Sequence, residues 1–276
     1  MKSNKEIERS IIKTYRKEIW CRFVRGINEY DLIQPHDKIA VCISGGKDSF
    51  IMAKCFQELK RHRKMDFDLE FLVLNPGYKE ENLNKIKENA KAMEIPIKIF
   101  DGRIFAYVET LEQSPCFICA RMRRGHLYHF AKELGCNKIA LGHHFDDVIE
   151  TIVMGMFYGA QIQTMMPKLH SDNFEGMELI RPLYLVKEED IKRWVKHNEL
   201  DFIQCACQFS ERSQSNDGTS KRAEIKRLIA HYRTINPNVD INIFRSVHDV
   251  NLSTLIGYHN DEMQYNFLDD YDKDVQ

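Results

Sequence analysis

Apolar residues near the start of the chain change from a strand-like run to a helical period. Residues 38–43 form a short, nearly continuous apolar run of the kind that a buried parallel strand has. From Asp48 onward the apolar residues recur every three to four positions, which predicts a helix. The sequence therefore predicts a strand, a short loop and a helix in direct succession.

The alternation of apolar runs and helical periods continues along the chain. Further strands are predicted at residues 69–74, 95–100 and 138–141, and helices at 80–93, 118–134 and 148–158. Strands that are separated by helices form a right-handed parallel sheet that binds its ligands at the carboxyl ends of the strands. We therefore predict an α/β protein in which the first loop, Asn75 and Gly142 share one edge of a Rossmann-like sheet.

The two ends of the chain differ from this central pattern. Residues 1–30 predict a basic amphipathic helix, residues 31–205 the α/β domain with a cysteine-containing insertion, and residues 206–276 a helical region with an acidic tail. Within the last region, helices are predicted at 222–232 and 239–255, and the tail begins at 263. We expect one main domain with helical additions at both ends.

The first loop has the composition of a phosphate-binding loop. Glycine lets the backbone approach a ligand closely, the amide groups at the start of the next helix favour an anion, and a lysine adds positive charge. The spacing fits neither a Walker A loop nor a dinucleotide fingerprint. The residues of this loop are Ser44, Gly45, Gly46, Lys47, Asp48 and Ser49. This run resembles the PP loop of the N-type ATP pyrophosphatases, which implies cleavage of ATP to AMP and pyrophosphate and a fold of the adenine nucleotide alpha hydrolase-like type.

Two carboxylates follow the fourth predicted strand. Asp146 and Asp147 open the helix at 148–158, and carboxylates in that position are often only helix caps. Here the same edge of the sheet should carry Asp48. We therefore expect the three carboxylates to bind magnesium or to orient the ATP phosphates.

Composition limits the compartment and the way in which nucleic acid can bind. The net charge is −1, so RNA binding must come from local basic patches, of which residues 1–25 and 221–233 are the candidates for holding tRNA. The charged N-terminus lacks an apolar leader and no apolar stretch approaches membrane-spanning length, so we expect a cytoplasmic protein without a membrane partner. Eight cysteines in that compartment favour metal binding, catalysis or burial over disulfides.

Two groups of cysteines have a spacing that suits chemistry. Cys116 and Cys119 lie one helical turn apart at a predicted helix start, but this pair alone does not separate zinc, an iron-sulfur cluster and a redox dithiol. Cys205 and Cys207 add sulfur later in the chain, and three or four thiolates converge if the fold brings them together. The remaining cysteines lie in periodic apolar contexts and are expected to be buried: Cys21, Cys42, Cys55 and Cys136.

Five motifs follow one another along the chain: Cys-x-x-Cys-Ala-Arg-Met-Arg-Arg-Gly, Leu-Gly-His-His-x-Asp-Asp, Met-Phe-Tyr-Gly, Met-Pro-Lys-Leu and Ile-Arg-Pro-Leu, which begin at residues 116, 141, 156, 166 and 180. Together they resemble the tRNA 2-thiocytidine synthetase family, and the similarity runs from about residue 38 to residue 205. Each motif alone has low specificity, whereas the combination is highly specific.

This resemblance implies a sulfur transfer onto cytidine in a tRNA anticodon loop, with ATP, magnesium and a [4Fe-4S] cluster. It gives Cys116, Cys119 and Cys205 as cluster ligands, although the family commonly has a second Cys-x-x-Cys where this chain has Cys205-x-Cys207. It also implies a sulfur donor such as a cysteine desulfurase, and a homodimer is a further expectation. The predicted catalytic residues are Lys47, Asp48, Arg123, Asp146 and Asp147.

Three neighbouring arginines follow the Cys-x-x-Cys pair. Arg121, Arg123 and Arg124 lie about one helical turn from Cys119, so they are candidates for binding pyrophosphate or the RNA backbone.

Three alternative functions stay open at this point. They are a 2-thiouridine synthetase, a lysidine-type ligase, which would not need the cysteines, and a nucleotide-binding iron-sulfur sensor.

Overall fold

A six-stranded sheet forms the centre of the protein, with the strands in the order β3-β2-β1-β4-β6-β5. This computed structural model describes residues 1–63, 65–102, 104–108, 115–203 and 220–271, without the side chains of residues 106, 108 and 115–117. All neighbouring strands are parallel except β5, which pairs antiparallel with β6 at one edge. The predicted Rossmann-like parallel sheet is therefore confirmed. The strands are β1 (Asp37–Cys42), β2 (Phe67–Asn75), β3 (Ile97–Asp101), β4 (Lys138–Ala140), β5 (Lys168–His170) and β6 (Glu178–Ile180).

Helices cover both faces of this sheet. The predicted helices at 80–93, 118–134 and 148–158 are all present, with boundaries that shift by a few residues. None of the helices in the described ranges is long and apolar enough to cross a membrane. The helices are α1 (Asn4–Arg9), α2 (Cys21–Glu29), α3 (Lys47–Arg61), α4 (Glu80–Ala92), α5 (Ile104–Val108), α6 (Pro115–Glu133), α7 (Phe145–Gly159), α8 (Glu188–His197), α9 (Lys221–Ile235) and α10 (Val239–Arg245).

Strand β1 carries apolar side chains on both faces of the sheet. Ile39 and Val41 belong to the large core on the side of α3, whereas Ala40 and Cys42 point to the opposite core under α6. Cys42, Cys55 and Cys136 are buried as predicted. Cys21 is exposed, so the prediction that it is buried was wrong, because it lies on the outer side of α2.

The N-terminal segment is helical over almost its whole length and packs against α3 and α8. Between α1 and α2 it widens into two π-helical turns, Ser10–Thr14 and Arg16–Trp20. Its apolar side is buried, as the amphipathic pattern predicts, and Trp194 Nε1 of α8 donates a hydrogen bond to Ser10 Oγ at 2.9 Å. The ammonium of Lys54, whose side chain is 1% exposed, lies 2.7 Å from Glu8 Oε1.

Removal of the negative charge of Glu8 should destabilise the packing of the N-terminal segment. Burial favours the neutral acid, but hydrogen bonds from Arg61 and Lys54 outweigh it and lower the pKa of Glu8 to about 2. Its stabilising effect is therefore complete above the ordinary pKa of 4.5 and is lost as the pH falls toward 2. We expect Glu8→Gln to lower the free energy of unfolding by about 2 kcal/mol near neutral pH, because Lys54 loses its carboxylate partner.

Urea unfolding of the Glu8→Gln variant and the wild type tests this expectation. The difference between the two should shrink at about pH 3, because the carboxylate of the unfolded wild-type chain, with its ordinary pKa of 4.5, is then mostly protonated. Glu18→Gln in the same segment is the control and should change the unfolding free energy little. An equal difference in unfolding free energy near neutral pH and at about pH 3 would show that the charge of Glu8 does not stabilise the protein.

The C-terminal region departs from the prediction. The predicted helix at 239–255 ends at Arg245, and a hairpin follows whose first strand, β7 (Gly257–His259), precedes the predicted acidic tail and whose second strand, β8 (Gln264–Asn266), lies within it. Asn260 Oδ1 accepts the amide hydrogens of Glu262 and Met263 and so closes the hairpin turn. Strands of three residues are too short to show a period in the sequence.

Candidate active site

The loop between β1 and α3 is held in a tight conformation by its own side chains. Ser49 Oγ donates a hydrogen bond to the carbonyl oxygen of Gly46 at 2.8 Å and accepts one from the amide of Ser44 at 3.2 Å. Gly45 has a φ of +94°, and a Cβ there would lie 2.4 Å from Ile203 Cδ1. Glycine is therefore required at this position both for its backbone conformation and for space.

Gly142, after β4, lies directly against the start of α3. A Cβ at this position would lie 3.2 Å from the backbone carbon of Asp48 and from the amide nitrogen of Ser49. The predicted neighbourhood of the first loop and the exit of β4 is therefore present, and it depends on the absence of a side chain at Gly142.

Asn75 organises the turn that follows β2. Its Oδ1 accepts the amide hydrogens of Gly77 and Tyr78, at 3.1 and 2.8 Å, and its Nδ2 donates to Asp101. The hydroxyl of Tyr78 in turn donates to the carbonyl oxygen of Ser44 at 3.2 Å and accepts from Arg123 at 3.0 Å. Asn75 is thus connected to the first loop through Tyr78, and it is not among the residues that line the cavity described next.

A cavity of about 410 Å³ opens between the first loop, the exit of β4 and α6. Its wall combines polar groups of the loop, arginines of α6 and several leucines. Six of the predicted site residues line it, namely Ser44, Asp48, Ser49, Arg123, Gly142 and Asp147. The remaining lining residues are Cys42, Ile43, Leu74, Ala120, Arg124, Leu127, Leu141 and His143.

Helix α6 connects this cavity to the predicted sulfur ligands. Cys119 is 8% exposed and packs in an apolar cluster with Leu74, Ile104 and Phe105, while the next residue, Ala120, lines the cavity. Cys116 lies in the first turn of α6 with its side chain outside the description, and Cys205 and Cys207 lie outside the described residues. Among the described residues no three His, Cys, Asp or Glu side chains are arranged to hold a metal ion.

Lys47 lines a second pocket, of about 390 Å³, at the same loop. Its Nζ lies 3.0 Å from Asp48 Oδ2 and 3.1 Å from Glu188 Oε1. Burial would lower the pKa of Lys47, but these two carboxylates outweigh it and raise the pKa, so the ammonium stays charged. Asp48 and Asp147 line both the cavity and the pocket and therefore stand between them.

The carboxylates of the predicted magnesium site have different surroundings. Asp48 Oδ1 is buried and has no hydrogen-bond partner among the described residues, and His144 Nε2 lies 3.9 Å from it. Asp147 accepts the amide of His144 at 2.9 Å and the guanidinium of Arg222 at 2.8 Å. Asp48, with its unpartnered buried oxygen, is therefore the candidate among the three carboxylates for a ligand of a hard cation such as magnesium, and Asp147 lines the same cavity.

Asp146 lies apart from these two carboxylates. It is 6% exposed, and its oxygens accept hydrogen bonds from Arg233 at 2.6 Å and from the amide of Glu188 at 2.7 Å. It lines neither the cavity nor the pocket. These contacts favour a role in positioning α8 and α9, and the structure does not bring Asp146 to the other two carboxylates.

Several residues at the site had no role in the sequence prediction. His143 Nδ1 accepts a hydrogen bond from Arg181 at 3.3 Å, which places the proton of the neutral ring on Nε2, and burial together with the charge of Arg181 lowers the pKa of His143 to about 4. Glu188, Arg222 and Lys226 surround Lys47 from α8 and α9. His143 belongs to the Leu-Gly-His-His-x-Asp-Asp motif at residue 141 and Arg181 to the Ile-Arg-Pro-Leu motif, while Arg222 and Lys226 lie in the basic stretch 221–233. No motif pointed to Glu188.

The parallel sheet and the Ser-Gly-Gly-Lys-Asp-Ser loop at the start of α3 define a protein of the PP-loop class. A family model described as a PP-loop domain matches residues 6–216. The chain belongs to this family, within the group of the tRNA-cytidine(32) 2-sulfurtransferases. The resemblance in the sequence motifs is thereby confirmed.

The relatives show how far this similarity extends. A tRNA-cytidine(32) 2-sulfurtransferase of Burkholderia cenocepacia is 36% identical over 237 residues, which cover 84% of this chain and 69% of that protein. One of Neisseria meningitidis is 41% identical over 185 residues, 65% of this chain and 57% of that protein. The chain thus spans less than two thirds of the length of the neisserial relatives.

The fold also matches a solved structure. The U34-tRNA thiolase NcsA from Methanococcus maripaludis, which was solved with its [4Fe-4S] cluster, superposes with a TM-score of 0.65 and 21% identity. The match covers 82% of this chain and 76% of that one. At this identity the likeness concerns the fold.

Proposed function

We propose that this protein is an ATP-dependent tRNA sulfurtransferase that replaces the C2 oxygen of a cytidine in the anticodon loop by sulfur. One observation carries the proposal: the cavity of about 410 Å³ joins the phosphate loop to the face of α6 next to Cys119. ATP activation and sulfur delivery can therefore take place in one space. The names of the 36% and 41% identical relatives support cytidine as the base.

The first step is the activation of the base by ATP. The C2 oxygen attacks the α-phosphorus, the bond from that phosphorus to pyrophosphate breaks, and an adenylated base and pyrophosphate result. The loop of residues 44–49 holds the phosphates with its amide groups, and Lys47 offsets the charge that develops on the leaving pyrophosphate. Asp48 and Asp147 are the residues proposed to hold magnesium, which neutralises phosphate charge when it is bound.

The second step is the exchange of oxygen for sulfur. A sulfide-equivalent sulfur attacks C2, the bond between C2 and the oxygen breaks, and AMP leaves with that oxygen. Cys116, Cys119 and Cys205 would hold the [4Fe-4S] cluster, with Cys207 as the alternative third ligand. Such a cluster supplies an iron with an open position for the sulfur. The apolar surroundings of Cys119 suit this group, since they exclude water from it.

The substrate RNA must reach the cavity with its target base unstacked, which a loop allows at low cost. Arg123 and Arg124 line the cavity, and Arg121 is exposed on the same helix, so these three are the proposed contacts for the RNA backbone near the chemistry. A sulfur donor such as a cysteine desulfurase, a homodimer and a cytoplasmic location remain predictions.

One reconstitution tests the function. The protein is purified without oxygen and incubated with ATP, magnesium, sulfide and tRNA transcript, and the nucleosides are then analysed by mass spectrometry. We expect 2-thiocytidine at position 32 and one AMP per modified base. A product with thiouridine, or AMP formation that does not depend on tRNA, would overturn the proposal.

Gly142→Ala should slow this reaction although residue 142 carries no reactive group. Its new Cβ must push the backbone of Asp48 and Ser49 away by a few tenths of an ångström, and we expect AMP formation to fall about tenfold. Gly159→Ala is the matched control, because a Cβ at that position meets no atom within 4 Å. An unchanged rate in Gly142→Ala would show that the start of α3 tolerates the shift.

A further inference from the structure

The second pocket at the phosphate loop, which Lys47 lines, brings together cations from two distant parts of the chain. Lys47 comes from the loop itself, and Arg222 and Lys226 come from the first two turns of α9. Helix α9 is fixed there by Ile225 and Ile229, which are buried against α7. The two α9 cations are 47% and 50% exposed, so they are anchored at one end and open to solvent at the other.

Carboxylates hold these cations beside the loop. Arg222 lies 2.8 Å from Asp147 Oδ1 and 2.9 Å from Glu150 Oε2, and Lys226 lies 2.7 Å from Glu188 Oε2. The other oxygen of Glu188 contacts Lys47 at 3.1 Å. Glu188 therefore links the lysine of the loop to the lysine of α9 through a single carboxylate.

Glu188 and Arg222 keep their charge near neutral pH. Burial opposes the charge of Glu188, but hydrogen bonds from Lys226 and Lys192 and the charge of Lys47 lower the pKa of Glu188 well below its usual range. Burial also acts against the charge of Arg222, while Glu150 and Asp147 raise the pKa of Arg222. The pocket thus offers permanent cations to an anionic ligand that can compete with the carboxylates.

The two spaces next to the loop differ in the part of ATP that they suit. The cavity has the apolar side chains of Leu74, Leu127 and Leu141 in its wall, which suit a base and a ribose. The pocket is lined by three cations and four carboxylates, and this mixture suits a phosphate chain that carries its magnesium ion. Since Asp48 and Asp147 line both, a nucleotide at the loop can extend from one space into the other.

We infer that Arg222 and Lys226 bind the β- and γ-phosphates of ATP and hold the pyrophosphate until it is released. Glu188 acts as a positioning residue, because it keeps Lys47 and Lys226 at the loop before the nucleotide arrives. The inference rests on the use of ATP in the proposed function, and it assigns part of the ATP site to a helix that lies beyond the matched residues 6–216.

The same cations were predicted from the sequence to hold tRNA, and the geometry favours the nucleotide. Arg222, Lys226 and Arg233 all turn toward carboxylates of α7, α8 and α10, and the first two line a pocket that contains Lys47. A phosphate chain at the loop lies within reach of these side chains. RNA binding by Arg222 and Lys226 is the competing outcome of the test.

Calorimetric titration of the full chain with magnesium pyrophosphate and, separately, with AMP tests the inference. We expect Arg222→Gln and Lys226→Ala each to weaken pyrophosphate binding about tenfold, the usual size of a charge-assisted contact, and to leave AMP binding unchanged. Arg227→Ala is the matched control, since it removes a neighbouring charge of α9 that does not line the pocket. Filter binding of tRNA is measured with the same four proteins.

Three results would overturn the inference. Unchanged pyrophosphate binding in both variants would show that the cations do not touch the phosphates. Equal losses for pyrophosphate and AMP would indicate a merely structural role, and a loss of tRNA binding alone would assign the cations to RNA. If the wild type binds pyrophosphate as expected but forms no 2-thiocytidine, the proposed function fails while this assignment stands.

Discussion

Lys47→Ala should abolish AMP formation in the presence of tRNA while the iron content of the protein stays unchanged. The ammonium lies at the start of α3, 3.0 Å from Asp48 and 3.1 Å from Glu188, where the leaving pyrophosphate develops its charge. Without the Lys47 ammonium we expect the rate of AMP formation to fall by about 10³-fold, because preorganised groups that stabilise transition-state charge have effects of this size. Pyrophosphate release and 2-thiocytidine formation are the measurements.

Lys192→Ala is the control for this variant. Lys192 contacts the same carboxylate of Glu188 at 2.9 Å but does not line the pocket at the loop, so its loss should change the rate by no more than about twofold. The Lys47→Ala protein should remain folded, because Glu188 keeps its contacts with Lys192 and Lys226. A Lys47→Ala protein with near wild-type turnover would contradict the assignment of the loop.

Cys119→Ala should have the opposite effect: loss of iron, of acid-labile sulfide and of thiolation, with ATP binding retained. The side chain packs with Leu74, Ile104 and Phe105 one residue before the wall of the cavity. Removal of one of three proposed thiolate ligands leaves a cluster without a complete set of ligands. Metal and sulfide analysis with a visible spectrum, followed by the reconstitution, measures the result.

Cys21→Ala provides the comparison for Cys119→Ala. Cys21 is exposed on α2, far in sequence from the predicted ligands, so its removal should leave about four irons and the thiolation activity in place. Full thiolation by Cys119→Ala would refute the cluster mechanism. Zinc without sulfide in the wild type would instead leave the ATP chemistry intact and give the cysteines a structural or persulfide role.

Local patterns were sufficient to predict the central part of the fold. The change of period between residues 38–43 and Asp48 predicted β1, the loop and α3, because strand and helix periods are properties of contiguous residues. The same argument placed Gly142 beside the loop, since parallel strands end at one edge. Of the three-residue strands, β4 was predicted from its apolar run at 138–141, whereas β5 and β7 were not predicted from the sequence.

The side chains around the site were harder to predict, because their neighbours are distant in sequence. Asp146 and Asp147 are adjacent, yet the first contacts Arg233 and the amide of Glu188 while the second lines the cavity. The sequence pattern cannot show which of these two carboxylates points into the cavity, since the direction of each depends on where α8 and α9 pack. From the sequence, Arg222 likewise belonged to a basic stretch predicted to hold tRNA, whereas in the structure it contacts two carboxylates of α7.

Asp48 and Asp147 line both the leucine-containing cavity and the charged pocket, and under the proposed function this has a consequence for the order of events. An activated RNA that occupies the leucine-lined side does not obstruct the charged side, so pyrophosphate can depart while the adenylated base stays in place. Its departure makes the first step irreversible before the sulfur arrives. The enzyme could then wait for a slow sulfur delivery without returning the RNA to its unmodified state.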